Sequence, residues 1–167
     1  MSLPKRIEIT EVGPRDGWQN HKAMIIPTEV KAKYVKKMID AGADKIEVTS
    51  FVNPKAVPQM ANAKDLVALV QPYAKEKGCQ TIGLALNKRG VDDAVAAGVD
   101  YVGFGISVSE EHNKRNSNRK KINFDVCGLS FKHFVLFFAV VFASAYLGFM
   151  PTVTIYSNSA GAFTATT

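Results

Sequence analysis

Residues 11–20 read Glu-Val-Gly-Pro-Arg-Asp-Gly-Trp-Gln-Asn and follow directly on a short apolar stretch, residues 6–10, that reads as a strand. A glycine-punctuated turn at the C-terminal end of a strand can aim an acid, a guanidinium and free backbone N–H groups at one ligand. Asp16 offers a hard oxygen ligand to a divalent cation, and Arg15 offers a planar positive fork to a developing oxyanion. Adjacent residues at a strand end point in different directions, so the two are expected to serve different parts of one ligand. The alternative is an Arg-Asp-Gly turn held by its own hydrogen bonds.

A second acid stands in a different setting. Glu47 lies within Ile46-Glu47-Val48-Thr49-Ser50-Phe51, the middle of an apolar strand. Burying a carboxylate there is costly unless a positive group meets it, and Arg15 on the neighbouring strand is the expected partner. A plain structural salt bridge would satisfy the same requirement. Glu11, nearer the end of its strand, could hydrogen-bond Arg15 or a metal-bound water.

Positioning these groups requires a scaffold, and residues 6–106 supply its pattern. Short β-branched runs at residues 7–10, 45–49, 81–86 and 101–105 alternate with amphipathic stretches, as successive βα units around a parallel sheet do. Between the first two runs, Pro27-Thr28-Glu29 supplies a hydroxyl N-cap and a first-turn acid. Val30, Tyr34, Met38 and Ala41 then recur at helical spacing, predicting a helix with that face buried. A second helix is expected over 62–76, with Leu66, Leu69, Val70 and Tyr73 inward, and a shorter one over 88–97. The tetrapeptides Ala41-Gly42-Ala43-Asp44 and Ala97-Gly98-Val99-Asp100 each precede a strand, reading as helix end, left-handed glycine and tight turn.

The chain has 167 residues and a formal net charge of +6, enough for one domain with a real core and compatible with an acidic ligand. Cys79 and Cys127 lie far apart with no metal-type or redox-type spacing, so neither is a chemical candidate and a reduced, cytoplasmic setting is expected. Residues 1–6 carry a proline and charges before any apolar run, unlike the start of a secretory signal.

Beyond about Lys120 the composition changes. Residues 134–167 contain no Asp, Glu, Lys or Arg, and 134–150 form a largely apolar run of 17 residues flanked by Lys132 and His133. Three readings stay open: a foreign or frame-shifted end on a truncated enzyme, a membrane or interfacial segment, or an unusually apolar core element. Residues 151–167, rich in Thr, Ser, Ala and Gly, are expected to be poorly ordered.

The two motifs together, Glu11-Val-Gly-Pro-Arg-Asp-Gly-x-Gln-Asn20 and Ile46-Glu-x-Thr-Ser-Phe-Val-x-Pro-Lys-x-Val-Pro-Gln-Met60, resemble the hydroxymethylglutaryl-CoA lyase family. These are metal-dependent TIM-barrel enzymes related to Claisen-type synthases. The likeness runs to about Arg119 and includes Ser107-Val-Ser-Glu110 and His112-Asn-Lys-Arg-Asn116. It implies an α/β fold corresponding to strands 1 to 4 of a (β/α)8 barrel with their helices over residues 1–120, followed by an unrelated apolar tail over 121–167. A complete barrel takes about 250 residues.

The resemblance further implies retro-Claisen cleavage of 3-hydroxy-3-methylglutaryl-CoA to acetyl-CoA and acetoacetate, a reaction of leucine degradation and ketone-body metabolism, assisted by Mg2+ or Mn2+. On that basis Asp16 is a metal ligand, Arg15 stabilises the enolate, and Glu47 positions Arg15 or assists proton transfer. Glu11, Gln19 and Ser50 line the pocket, and Lys114 and Arg115 meet the phosphates of CoA, or else belong to a solvated loop.

The family's His-x-His pair, its metal-binding Asn and its cysteine on a glycine-rich loop are not recognisable here, so the metal is expected to bind weakly and turnover to be slow or absent. Two other functions compete. One is a non-catalytic half-barrel that binds a CoA-like ligand or is tethered to a membrane through residues 134–150. The other is a condensing synthase, against which Gly-Pro before Arg15 and Ser-Phe-Val-x-Pro-Lys argue. Nucleic-acid binding is not expected, because the basic run lacks interleaved aromatics. A half-barrel exposes two sheet edges, so the chain is expected to form a homo-oligomer, recruit its tail as cover, or aggregate.

Overall fold

The computed structural model describes residues 7–21, 24–107, 152–158 and 163–166. Lys114, Arg115, Cys127 and the apolar run 134–150 lie outside the described residues. Strands β1 (Thr10–Glu11), β2 (Lys45–Ser50), β3 (Gln80–Ala85) and β4 (Tyr101–Ser107) pair in parallel and in sequence order. Helices α1 (Gly13–Asn20), α2 (Thr28–Asp40), α3 (Ala63–Lys77) and α4 (Lys88–Ala97) connect or flank them. The expected α/β unit of four parallel strands is therefore present, and its core lies between the sheet and the helices, built from Val35, Ile39, Ile46, Val48, Leu66, Val67 and Val70.

The Ala-Gly-x-Asp repeat has a physical purpose beyond turning the chain. Gly42 and Gly98 adopt φ of 98° and 83°, the left-handed region that only glycine enters cheaply. Each aspartate then reaches the start of the preceding strand: Asp44 Oδ2 accepts from Ile9 N at 3.0 Å, and Asp100 Oδ2 accepts from Thr81 N at 2.8 Å. The strand entrances are thus tied by side chains where the ladder itself is incomplete.

Several local expectations are corrected. The first strand is shorter than expected, and residues 13–20 form a helix instead of a turn. Pro14 sits in its first turn with φ already preset, and Glu11 Oε1 accepts from Gly13 N at 2.6 Å, supplying an acceptor at the helix entrance. The buried face of α2 is Lys31, Ala32, Val35 and Ile39, whereas Val30 and Tyr34 are exposed and Met38 is half-buried. Thr28 does not cap α2, because Pro27 holds that position; its hydroxyl accepts from Asn62 Nδ2 at 2.7 Å instead. In α3, Leu66 and Val70 are buried as expected, but Leu69 faces outward.

The tail expectation also changes. Thr152–Asn158 forms strand β5, antiparallel to β4 with Tyr101 opposite Asn158 and Ser107 opposite Thr152, and Phe163–Thr166 forms β6 beyond it. Within the segment expected to be poorly ordered, Thr152–Asn158 and Phe163–Thr166 instead continue the sheet past β4. Among the described residues no helix is long and apolar enough to cross a membrane.

Phe51, at the end of β2, is seated between two glycines. A Cβ on Gly83 would lie 2.6 Å from its ring, and one on Gly90, in the first turn of α4, would lie 2.5 Å from its carbonyl oxygen. The backbone contact cannot be relieved by a rotamer change. Gly90→Ala, which helix propensity alone would favour by about 1 kcal/mol, is expected to destabilise the fold by ~2 kcal/mol net, measured by urea unfolding. A stabilised Gly90→Ala protein would show that α4 is free to slide away from β2.

Candidate active site

The site begins with the expected Arg15–Glu47 ion pair, which runs from α1, not from the neighbouring strand, to β2. Arg15 Nε donates to Glu47 Oε2 at 2.8 Å, and its Nη2 lies 2.7 Å from the same oxygen. The Glu47 side chain is 3% exposed and that of Arg15 18%. Two features of β2 aim the carboxylate. Its neighbours Ile46 and Val48 are buried core residues, and the pairing register with β3 slips between Glu47 and Thr49, a local irregularity of the kind that redirects side chains. Burial raises the Glu47 pKa above the ordinary carboxylate value, and the attraction and hydrogen bond of Arg15 only partly oppose that rise.

The third arm of the guanidinium is also used. Arg15 Nη1 donates to Asp16 Oδ1 at 2.7 Å, with the Asp16 side chain 56% exposed. The expectation that these neighbours would diverge is thus corrected: on the first turn of α1 they share a hydrogen bond. The helix also places Gln19 one turn on, where Ser50 Oγ donates to Gln19 Oε1 at 3.0 Å. Arg15–Glu47 and Gln19–Ser50 are therefore two parallel links between α1 and the C-terminal half of β2. Glu11 contributes at the edge by holding the Gly13 N–H, not by reaching Arg15.

Beside Ser50 a cleft of about 370 Å³ opens between the segment after β2 and the first turns of α3 and α4, with Phe51, Met60, Lys64, Arg89 and Asp93 on its walls. Lys64 Nζ lies 2.7 Å from Asp93 Oδ1, and Arg89 Nε lies 3.5 Å from Asp93 Oδ2. These two cations escaped the sequence reading because charges in a helix's first turn look like a solvated face. Cys79, by contrast, is buried with its thiol pushed up to about 11 by burial and by nearby Asp100 and Asp44, which removes it as a nucleophile.

The described residues do not make a metal site. Among them no cluster of three or more His, Cys, Asp or Glu could hold an ion, and Asp16, the one candidate, already shares an oxygen with Arg15. A divalent cation needs several oxygen or nitrogen ligands in fixed geometry.

A family-wide sequence profile described as HMGL-like matches residues 6–125. The chain belongs to the HMGL-like family. Its relatives include the mitochondrial hydroxymethylglutaryl-CoA lyase of Rattus norvegicus, 44% identical over 117 residues, or 70% of this chain and 35% of that protein. The HMG-CoA lyase structure from Bacillus subtilis superposes with a TM-score of 0.64 at 38% identity, covering 71% of this chain and 39% of the other. An HMG-CoA lyase from Acinetobacter baumannii, solved with coenzyme A and 3-methylmalate, gives 0.63 at 30% identity over 68% of this chain and 36% of the other. The chain spans between about a quarter and two fifths of the length of the curated relatives it matches. In this HMGL-like chain the four parallel strands and their helices correspond to part of the relatives' TIM barrel, with the Arg15–Glu47 pair inside the shared portion.

Proposed function

We propose that the Arg15 site serves carbon–carbon cleavage of a 3-hydroxyacyl-CoA thioester, with 3-hydroxy-3-methylglutaryl-CoA as substrate and acetyl-CoA and acetoacetate as products. In such a step the hydroxyl proton leaves, its oxygen becomes the acetoacetate ketone, and the bond to the thioester's α-carbon breaks. The electron pair moves into an enolate, which is then protonated on carbon. The observation that carries the reading is Arg15 fixed by Glu47 at the C-terminal end of a parallel sheet, within a chain about 40% identical to named lyases. A guanidinium preset by an ion pair lowers the energy of an enolate oxygen without reorganising during reaction. Because both nitrogens converge on one Glu47 oxygen, Glu47 acts as the positioning residue for Arg15. Gln19, held by Ser50, lines the same side, and Glu11 shapes the helix entrance.

Mg2+ or Mn2+ is proposed as the cofactor of the activity, with Asp16 as one ligand. Since the described residues supply too few others, binding should be weak. The acyl-CoA is placed in the 370 Å³ cleft beside Ser50, whose walls carry Lys64 and Arg89 together with Asp65 and Asp93.

Acetoacetate released from 3-hydroxy-3-methylglutaryl-CoA in Mg2+ is the direct test. Release that falls by about a hundredfold or more in Arg15→Gln would support Arg15 as the oxyanion donor. Binding of the thioester with no release in the unaltered chain would instead favour the second reading, a ligand-binding module.

A further inference from the structure

Lys31 is the most unusual side chain outside the Arg15 site. It lies on the buried face of α2 at 1% exposure, and its partners among the described residues are all neutral. An ammonium has three N–H groups and no acceptor, so it can be buried only where all three are used. Lys31 Nζ donates to the Gln59 carbonyl oxygen and to Asn62 Oδ1 at 3.0 Å, and it stands 5.7 Å from the centre of the Trp18 ring. Two oxygens and one aromatic face complete the set.

Each partner belongs to a segment that touches the site. Trp18 precedes Gln19 on α1. Gln59 lies in the 3-10 turn Pro58–Met60, and its Nε2 donates to the carbonyl oxygen of His21, just past the end of α1, at 3.2 Å. Met60 in the same turn accepts from Thr49 Oγ1 at 3.5 Å, next to Ser50. Asn62 donates to Thr28 Oγ1 at 2.7 Å, fixing the acceptor that Lys31 uses. Burying a cation with no counter-charge among its described partners is costly, so stability alone does not account for a lysine here.

We propose that Lys31 is a positioning residue that locks α1 to the turn after β2 and so sets where Arg15 and Gln19 stand over Glu47 and Ser50. Its importance for catalysis rests on the lyase reading above, but its effect on pose does not. The test therefore uses no substrate. Trp18 is the sole tryptophan, so its emission reports this contact directly.

In the full chain, Lys31→Met is expected to keep its far-ultraviolet circular dichroism and a cooperative urea transition, at a lower midpoint because two acceptors lose their donor, while Trp18 emission moves to longer wavelength. Amide exchange should quicken about tenfold or more in residues 13–21 and 56–61 and stay unchanged in residues 67–74 of α3. Lys31→Arg, which keeps a buried cation with several donors, should restore part of the exchange protection. Unchanged emission and exchange in Lys31→Met, or a uniform rise along the whole chain, would overturn the proposal. Should Lys31→Met fail to fold, the unaltered chain decides: residues 13–21 and 56–61 must open together with one denaturant dependence, and independent opening would overturn it. Absence of lyase activity would leave every one of these readings intact.

Discussion

Arg15→Met is expected to lower folding stability by about 3 kcal/mol around pH 8, the lower end of the range for stranding one member of a buried ion pair, and by far less near pH 5. The lower end applies because Arg15 keeps some solvent contact, its side chain being 18% exposed, whereas Glu47 at 3% has almost none. The pH dependence follows from Glu47. Burial already holds its pKa above the ordinary 4.5, with Arg15 opposing the rise. A carboxyl whose folded pKa is raised contributes stability that is fully present below its unfolded pKa and is lost as pH rises through the folded pKa. Removing Arg15 removes the opposing attraction and leaves Asp16 as an unfavourable neighbour, so the folded pKa climbs and the loss extends over a wider interval. Both proteins should therefore be similar at low pH and separate from the ordinary glutamate range upward. Urea unfolding of both proteins from pH 4.5 to 8 measures this. A deficit of the same size at every pH would mean that Arg15 acts through its packed stem and not through its charge.

That pairing is legible in the sequence because of one physical asymmetry: a carboxylate amid Ile46, Val48 and Phe51 must find a cation, and the segment just after the first strand offers Arg15, although it stands there on α1 and not on the strand. The βα order was readable for a similar reason, since β-branched runs and left-handed glycines admit few arrangements. What escaped prediction depended on compensations that pattern does not express. Residues 13–20 carry two glycines and a proline, poor helix formers, and the helix is supported by Glu11 accepting from the Gly13 N–H at its entrance and by Trp18 packing against the core. The face of α2 was displaced by one residue because a lysine occupies its buried row. An apolar-periodicity reading assigns Lys31 to solvent and takes Val30 and Tyr34 as core, whereas Gln59, Asn62 and Trp18 make the lysine's burial tolerable. The Arg15–Asp16 contact follows from that missed helix. β5 did carry a local strand signal, Thr152-Val-Thr-Ile-Tyr156 being β-branched or aromatic throughout, but the Thr, Ser, Ala and Gly composition of residues 151–167 as a whole masked it, and nothing local named β4 as its partner.

Shortening the chain to residues 1–120 is expected to convert it into a concentration-dependent assembly or a precipitate. In the intact chain β4 is an interior strand, with β3 on one side and seven residues of β5 on the other. Deletion leaves one side of β4 as a row of unpaired N–H and C=O groups, a template for another chain. The opposite edge is better protected: β1 is two residues long, and Asp44 already occupies the Ile9 N–H just before it. Association should accordingly run through β4. Ile155→Pro in the full chain isolates this cause. Ile155 lies opposite both Phe104 and Ala165, so a proline there removes a ladder donor from a strand paired on both sides while leaving the chain's length and apolar content nearly unchanged. Light scattering at increasing concentration should place both variants well above monomer mass. A shortened chain that stays monodisperse and monomeric would sink the idea that β5 protects the edge. If the shortened chain associates but Ile155→Pro does not, the protection comes from another part of residues 121–167, and the exposed edge of β4 is not what drives association.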